Sequence, residues 1–92
     1  QPIVVFGNAS WCGQCRPMVS IFEGLQADMR GQVRFAMLDV DANPKVPSRL
    51  GIMSIPTALI FKDGKLLARL VGAATKSKLV EWINTTVAAS SR

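Results

Sequence analysis

The chain opens on an unbroken apolar run, Pro2-Ile3-Val4-Val5-Phe6, in which three of the five side chains are β-branched. A short run of this kind, without polar alternation, predicts a strand over residues 2–6 buried on both faces. The period then changes. Met18, Ile21, Phe22, Leu25 and Met29 recur at intervals of three and four residues, which predicts a helix over 13–29 with one buried face, stopped by Gly31.

Residues 33–40, Val-Arg-Phe-Ala-Met-Leu-Asp-Val, read as a second strand. Asn43 followed by Pro44 predicts a helix N-cap with proline at the first helical position, and a short helix should run to about Leu50, where Gly51 ends it. Thr57–Phe61 and Leu66–Val71 are apolar runs on either side of Lys62-Asp63-Gly64-Lys65. Asp-Gly between such runs is a strong hairpin signal, so these two strands should pair antiparallel. Thr75 should cap a last helix with Leu79, Trp82, Ile83 and Val87 along one face, and the tail Ala88–Arg92 is expected to fray. The resulting order is βαβαββα. Right-handed crossovers then predict an α/β fold, a four-stranded mixed sheet with helices on both faces.

Ninety-two residues, 49% of them hydrophobic, are enough for one packed core and too few for two, so residues 1–92 are expected to form a single domain. No apolar run approaches the roughly 20 residues needed to cross a bilayer, and no segment has the pattern of a signal peptide. A first residue of Gln1 rather than Met is what a processed or excised chain would show. The net charge is +5, but Arg30, Arg34, Lys45, Arg49, Lys62, Lys65, Arg69, Lys76 and Lys78 are scattered beside turns and helix ends. Aromatic residues are not interleaved with them for stacking on bases, so no nucleic-acid partner is expected.

The chemistry is concentrated in Trp11-Cys12-Gly13-Gln14-Cys15, which holds both cysteines of the chain and falls in the turn from the first strand to the first helix. A tetrahedral zinc site needs four ligands, and with no His and no third Cys one chain cannot supply them. A zinc site shared between two chains and a purely structural disulfide stay open as alternatives. The redox reading has a physical basis of its own. Free N–H groups and the dipole at a helix N-terminus favour a thiolate over a thiol. Cys12, at the outer end, should be the exposed nucleophile. Cys15, one turn inward, should attack the mixed disulfide that Cys12 forms and release the reduced substrate. The exchange needs no cofactor and no metal. Trp11 is either a flat contact surface beside the site or a core residue.

Over nearly its whole length the chain resembles the thioredoxin family. The resemblance rests on Trp11-Cys12-Gly13-x-Cys15 after a buried strand, on Leu38-Asp39-Val40-Asp41-Ala42-Asn43-Pro44, on Gly51-Ile52-Met53-Ser54-Ile55-Pro56-Thr57 leading into Phe61-Lys62-Asp63-Gly64, and on Val71-Gly72-Ala73. It implies the thioredoxin fold, a cis Ile55–Pro56 bond, and a shallow groove around Cys12 lined by Trp11, Ile55, Pro56, Gly72 and Ala73, with Gly13 and Gln14 also meeting substrate. The exposed backbone of Ile55 would pair with an extended substrate segment. The implied activity is reduction of protein disulfides, with a thioredoxin reductase as electron donor. Rival readings are a periplasmic or secreted oxidant or isomerase and a non-catalytic binding module. The absence of further disulfides favours a cytoplasmic reductant.

Three features depart from the family pattern. An acidic residue and a lysine are usual at positions 6 and 37, where this chain has Phe6 and Met37. Loss of both avoids a lone buried charge, and the two side chains are expected to touch, leaving Cys15 to lose its proton to water or to the departing thiolate. Gln14 replaces a usual proline, while Pro17 falls inside the predicted helix and should kink it. The strand and helix that usually precede residues 2–6 are not in this sequence. Strand 33–40 would then form an apolar sheet edge, and either self-association along it or a missing N-terminal piece in the native protein is expected.

Overall fold

A computed structural model, which describes residues 1–90, gives the elements β1 (Ile3–Asn8), α1 (Cys15–Asp28), β2 (Arg34–Asp39), α2 (Lys45–Arg49), β3 (Thr57–Lys62), β4 (Lys65–Val71) and α3 (Lys76–Ser90). The four strands form one mixed sheet in the order β2-β1-β3-β4. β1 pairs parallel with β2 and antiparallel with β3, and β3 pairs antiparallel with β4. This is the α/β thioredoxin fold that the pattern and the resemblance imply.

The two sides of the sheet differ. Val4 and Phe6 of β1 share a face with Ala58 and Ile60 of β3. These join Met18, Phe22 and Leu25 of α1 and Leu79 and Ile83 of α3 in one buried cluster. Phe6 stacks on Phe22 with ring centroids 4.5 Å apart, and Phe35 meets Phe22 edge-on at 6.0 Å. On the opposite face Ile3 and Val5 are only half-buried, so the expectation that β1 is buried on both sides holds for one. Both long helices lie on the first face. The second is covered by little more than the five-residue α2 and the segment after it, whose Ile52 lies against the Cα of Gly7.

Local departures from the sequence reading have local causes. β1 runs to Asn8 because Asn8 still pairs with Asp39. α1 begins at Cys15 rather than Gly13, and Pro17 sits in its first turn. N–H groups there have no intrahelical partner, so the proline costs no hydrogen bond and the helix runs unbroken to Asp28. The N-cap of α2 is Pro44 and not Asn43. The turn before it is held by Asp39 Oδ1, which accepts from the N–H groups of Asp41 and Ala42 at 2.9 and 3.2 Å.

The tail expected to fray is helical as far as Ser90, with Ser90 Oγ donating to the Val87 carbonyl at 2.8 Å. Ala88 and Ala89 are strong helix formers, while Ser91 and Arg92 lie outside the described residues. The expected hairpin and cap are present. Asp63 and Gly64 have φ of 54° and 78°, the conformation of a type I′ turn, and the Lys78 N–H donates to Thr75 Oγ1 at 3.2 Å.

Candidate functional site

Residues 9–15 turn the chain from the end of β1 into α1. The Cys12 N–H donates to the Ala9 carbonyl at 3.1 Å, which closes the turn and sets Cys12 just ahead of the helix. Gln14, the N-cap, makes no side-chain cap bond, and the first turn of α1 carries no acidic residue. A sulfur fills that role: the Cys15 N–H donates to Cys12 Sγ and to the Cys12 carbonyl, each at 3.2 Å. A helix N-terminal N–H and the dipole behind it thus point at the Cys12 sulfur.

Cys12 and Cys15 are joined in a disulfide, with Cα atoms 5.3 Å apart. Cys12 is 7% exposed and Cys15 1%. The order of access is the expected one, but Cys12 is far from broadly exposed, because the turn and the bond to Cys15 fold it against the core cluster. Cys15 belongs to that same apolar cluster. All six carboxylates of the described residues, Glu23, Asp28, Asp39, Asp41, Asp63 and Glu81, are exposed. With no His in the chain, no acid–base side chain is buried with Cys15.

Trp11 is 67% exposed, so the reading of it as a core residue is excluded. Its Nε1–H donates to Asp41 Oδ2 at 2.5 Å, which fixes the indole from a loop thirty residues away. Beside the indole lies an open groove of about 310 Å³ lined by Trp11, Val40, Ile52, Met53, Ser54 and Ile55. None of the six side chains is charged. Met53 is 97% exposed, the most open large apolar side chain among those described.

The Ile55–Pro56 bond is cis, and the Gly72 N–H donates to the Pro56 carbonyl at 2.8 Å. Of the residues singled out in the sequence, Trp11 and Ile55 thus share a groove, Pro56 and Gly72 are bonded, and Cys12 and Cys15 are linked. Gly13 and Gln14, which follow Cys12, and Ala73, which follows Gly72, are exposed. Sequence reasoning missed Asp41 as the anchor of Trp11 and missed Val40, Ile52, Met53 and Ser54 as groove lining. The first signal was a lone Asp after a strand, and only the fold brings it to the indole.

Phe6 and Met37 are partners in the β1–β2 register, but they are not a buried pair. Phe6 is 1% exposed and Met37 45%, because β2 is the edge of the sheet and position 37 opens to solvent there.

A paired thiol at a helix start, on a four-stranded mixed sheet beside an uncharged groove, defines a centre for dithiol–disulfide exchange. Comparison with known proteins agrees. The thioredoxin family model matches residues 1–85. The thioredoxin of Rickettsia bellii is 38% identical over 86 residues, covering 94% of this chain and 82% of its own length. The thioredoxin of Rhodospirillum rubrum is 42% identical over 79 residues, covering 86% of this chain and 76% of its own, and that of Listeria monocytogenes is 41% identical over 76 residues, covering 83% and 74%. The chain belongs to the thioredoxin family. It is a protein-disulfide reductase that works by dithiol–disulfide exchange.

Proposed function

We propose that Cys12 is the attacking thiol and Cys15 the resolving one. The Cys12 thiolate attacks one sulfur of a substrate disulfide, forms a Cys12–substrate disulfide and releases the first substrate thiolate. Cys15 then attacks the Cys12 sulfur, forming the Cys12–Cys15 bond and breaking the bond to substrate. Two electrons pass from the dithiol to the substrate, which leaves as two thiols. The observation that carries this assignment is the hydrogen bond from the Cys15 N–H to Cys12 Sγ, which would favour a thiolate on Cys12 once the disulfide is reduced.

The proton of Cys15 goes to the departing substrate thiolate or to water. Support comes from the apolar cluster that holds Cys15 and from the exposure of every described carboxylate. An extended substrate segment would lie over the groove beside Trp11 and pair with Ile55, whose backbone N–H and C=O have no partner among the described residues. Pro56, Gly72 and Ala73 would border it, with Gly13 and Gln14 on the near side.

The proposed electron donor is a thioredoxin reductase, and the proposed compartment is the cytoplasm. Both cysteines of the chain belong to the motif, so none is spent on a structural bridge of the kind found in oxidising compartments. Insulin reduction with a thioredoxin reductase or with glutathione as sole electron source tests donor and direction together. Turnover with glutathione and not with the reductase would overturn the donor assignment.

Self-association along β2 is proposed on the same footing. The N–H groups of Arg34 and Val40 are spent on Pro2 and Asn8 on the β1 side, so those of Phe35 and Met37 face the open edge. A concentration-dependent rise in sedimentation coefficient is expected, and a monomer at all concentrations would contradict it.

A further inference from the structure

The segment 51–56, whose residues 52–55 line the groove, is fixed to the rest of the molecule at few points. At its start α2 ends in a Schellman arrangement, with the Gly51 N–H on the Ser48 carbonyl at 3.2 Å and the Ile52 N–H on the Pro47 carbonyl at 2.9 Å. Gly51 takes the positive φ, 74°, which this motif requires. The carbonyls of Leu50 and Gly51 remain at the negative end of the helix. Both accept from one side chain: Arg69 Nη1 donates to Gly51 O at 2.6 Å and Nη2 to Leu50 O at 3.5 Å.

Arg69 sits on β4 opposite Leu59 of β3, so its guanidinium ties the edge of the sheet to the end of α2 on the thinly covered face. Farther along, Ile52 lies against Gly7, Thr57 Oγ1 donates to the Ser54 carbonyl at 2.6 Å, and the Gly72 N–H donates to the Pro56 carbonyl at 2.8 Å. Arg69 is the one charged group among these attachments, and among the described residues no ion pair competes for it.

We propose that Arg69 is a positioning residue for substrate binding: through the Leu50 and Gly51 carbonyls it sets the segment 51–56 against Trp11, and so fixes the groove that receives a substrate polypeptide. The inference rests on the reading that this groove takes the substrate. Arg69 has no part in the thiol chemistry. A substrate that uses the groove should therefore feel its loss, while a small disulfide that needs only Cys12 should not.

The test compares wild type, Arg69→Ala and Arg69→Lys with two substrates, insulin and hydroxyethyl disulfide. Arg69→Ala should raise KM for insulin about fivefold, as expected for loss of one charge-assisted hydrogen bond at a partly solvated site, with kcat unchanged. Turnover of hydroxyethyl disulfide should stay within about 1.5-fold of wild type. Arg69→Lys, which keeps the charge and one donor, should recover part of the insulin KM. An unchanged insulin KM in Arg69→Ala would overturn the proposal, as would equal losses toward both substrates or a loss carried by kcat alone. If wild type fails to reduce insulin, the site reading falls instead, which keeps the two failures apart.

Discussion

Replacing Phe6 with Asp tests the apolar floor of the site, and replacing Met37 with Lys tests its edge. Phe6 is 1% exposed and stacked on Phe22 at 4.5 Å. Removal of a buried aromatic side chain costs about 3–5 kcal/mol, and a carboxyl left there without a partner adds about 1–3 kcal/mol. A chain of 92 residues has about 5–14 kcal/mol of stability in all. Phe6→Asp should therefore lie near or beyond the limit of folding. Met37 is 45% exposed, so a lysine there keeps its water and Met37→Lys should stay within about 0.5 kcal/mol of wild type. Urea titration followed by far-ultraviolet circular dichroism measures both. With a slope of about 1 kcal/mol per molar, the Phe6→Asp midpoint should fall by several molar and that of Met37→Lys by less than about 0.5 M. A Phe6→Asp midpoint within about 2 M of wild type would refute the reasoning. It would mean that water reaches position 6.

Asp41→Ala removes the acceptor of the Trp11 indole N–H. Both groups are exposed, so the stability loss should stay below about 1 kcal/mol, while tryptophan fluorescence changes and KM for insulin rises; unchanged fluorescence and KM would count against a tethered indole. Gly64→Ala places a side chain at φ 78°, where its Cβ meets nothing within 4 Å. Its cost of about 1–2 kcal/mol is conformational alone, and a neutral result in thermal unfolding would contradict the I′ turn. Thr75→Ala should cost about 1 kcal/mol through the lost cap on the Lys78 N–H, measured by the same unfolding.

What could be read from the chain was what short-range physics dictates. The period of Met18, Phe22 and Leu25 gave the buried face of α1, and Asp63-Gly64 gave the hairpin, because each signal is complete within a few residues. The cysteine pair was legible for the same reason, since its spacing and its place before a helix are both local. The cis bond before Pro56 came from resemblance and not from the residues themselves. Four features were out of reach. The link from Trp11 to Asp41 and the clamp from Arg69 to Leu50 and Gly51 join residues 30 and up to 19 positions apart, and nothing nearby in sequence marks either partner. The exposure of Met37 follows from the position of β2 in the sheet order, which a strand's own pattern does not state. Cys12 was expected to be more open than it is, because the turn through Ala9 folds it inward.

The central claim is the division of labour between Cys12 and Cys15, and trapping tests it most directly. Reduced Cys15→Ser should be mixed with oxidised insulin and the product analysed by peptide mapping under non-reducing conditions. The assignment predicts a stable adduct through Cys12, and no comparable adduct on Cys15 when Cys12→Ser is treated in the same way. An adduct that forms as readily through Cys15 as through Cys12 would contradict it.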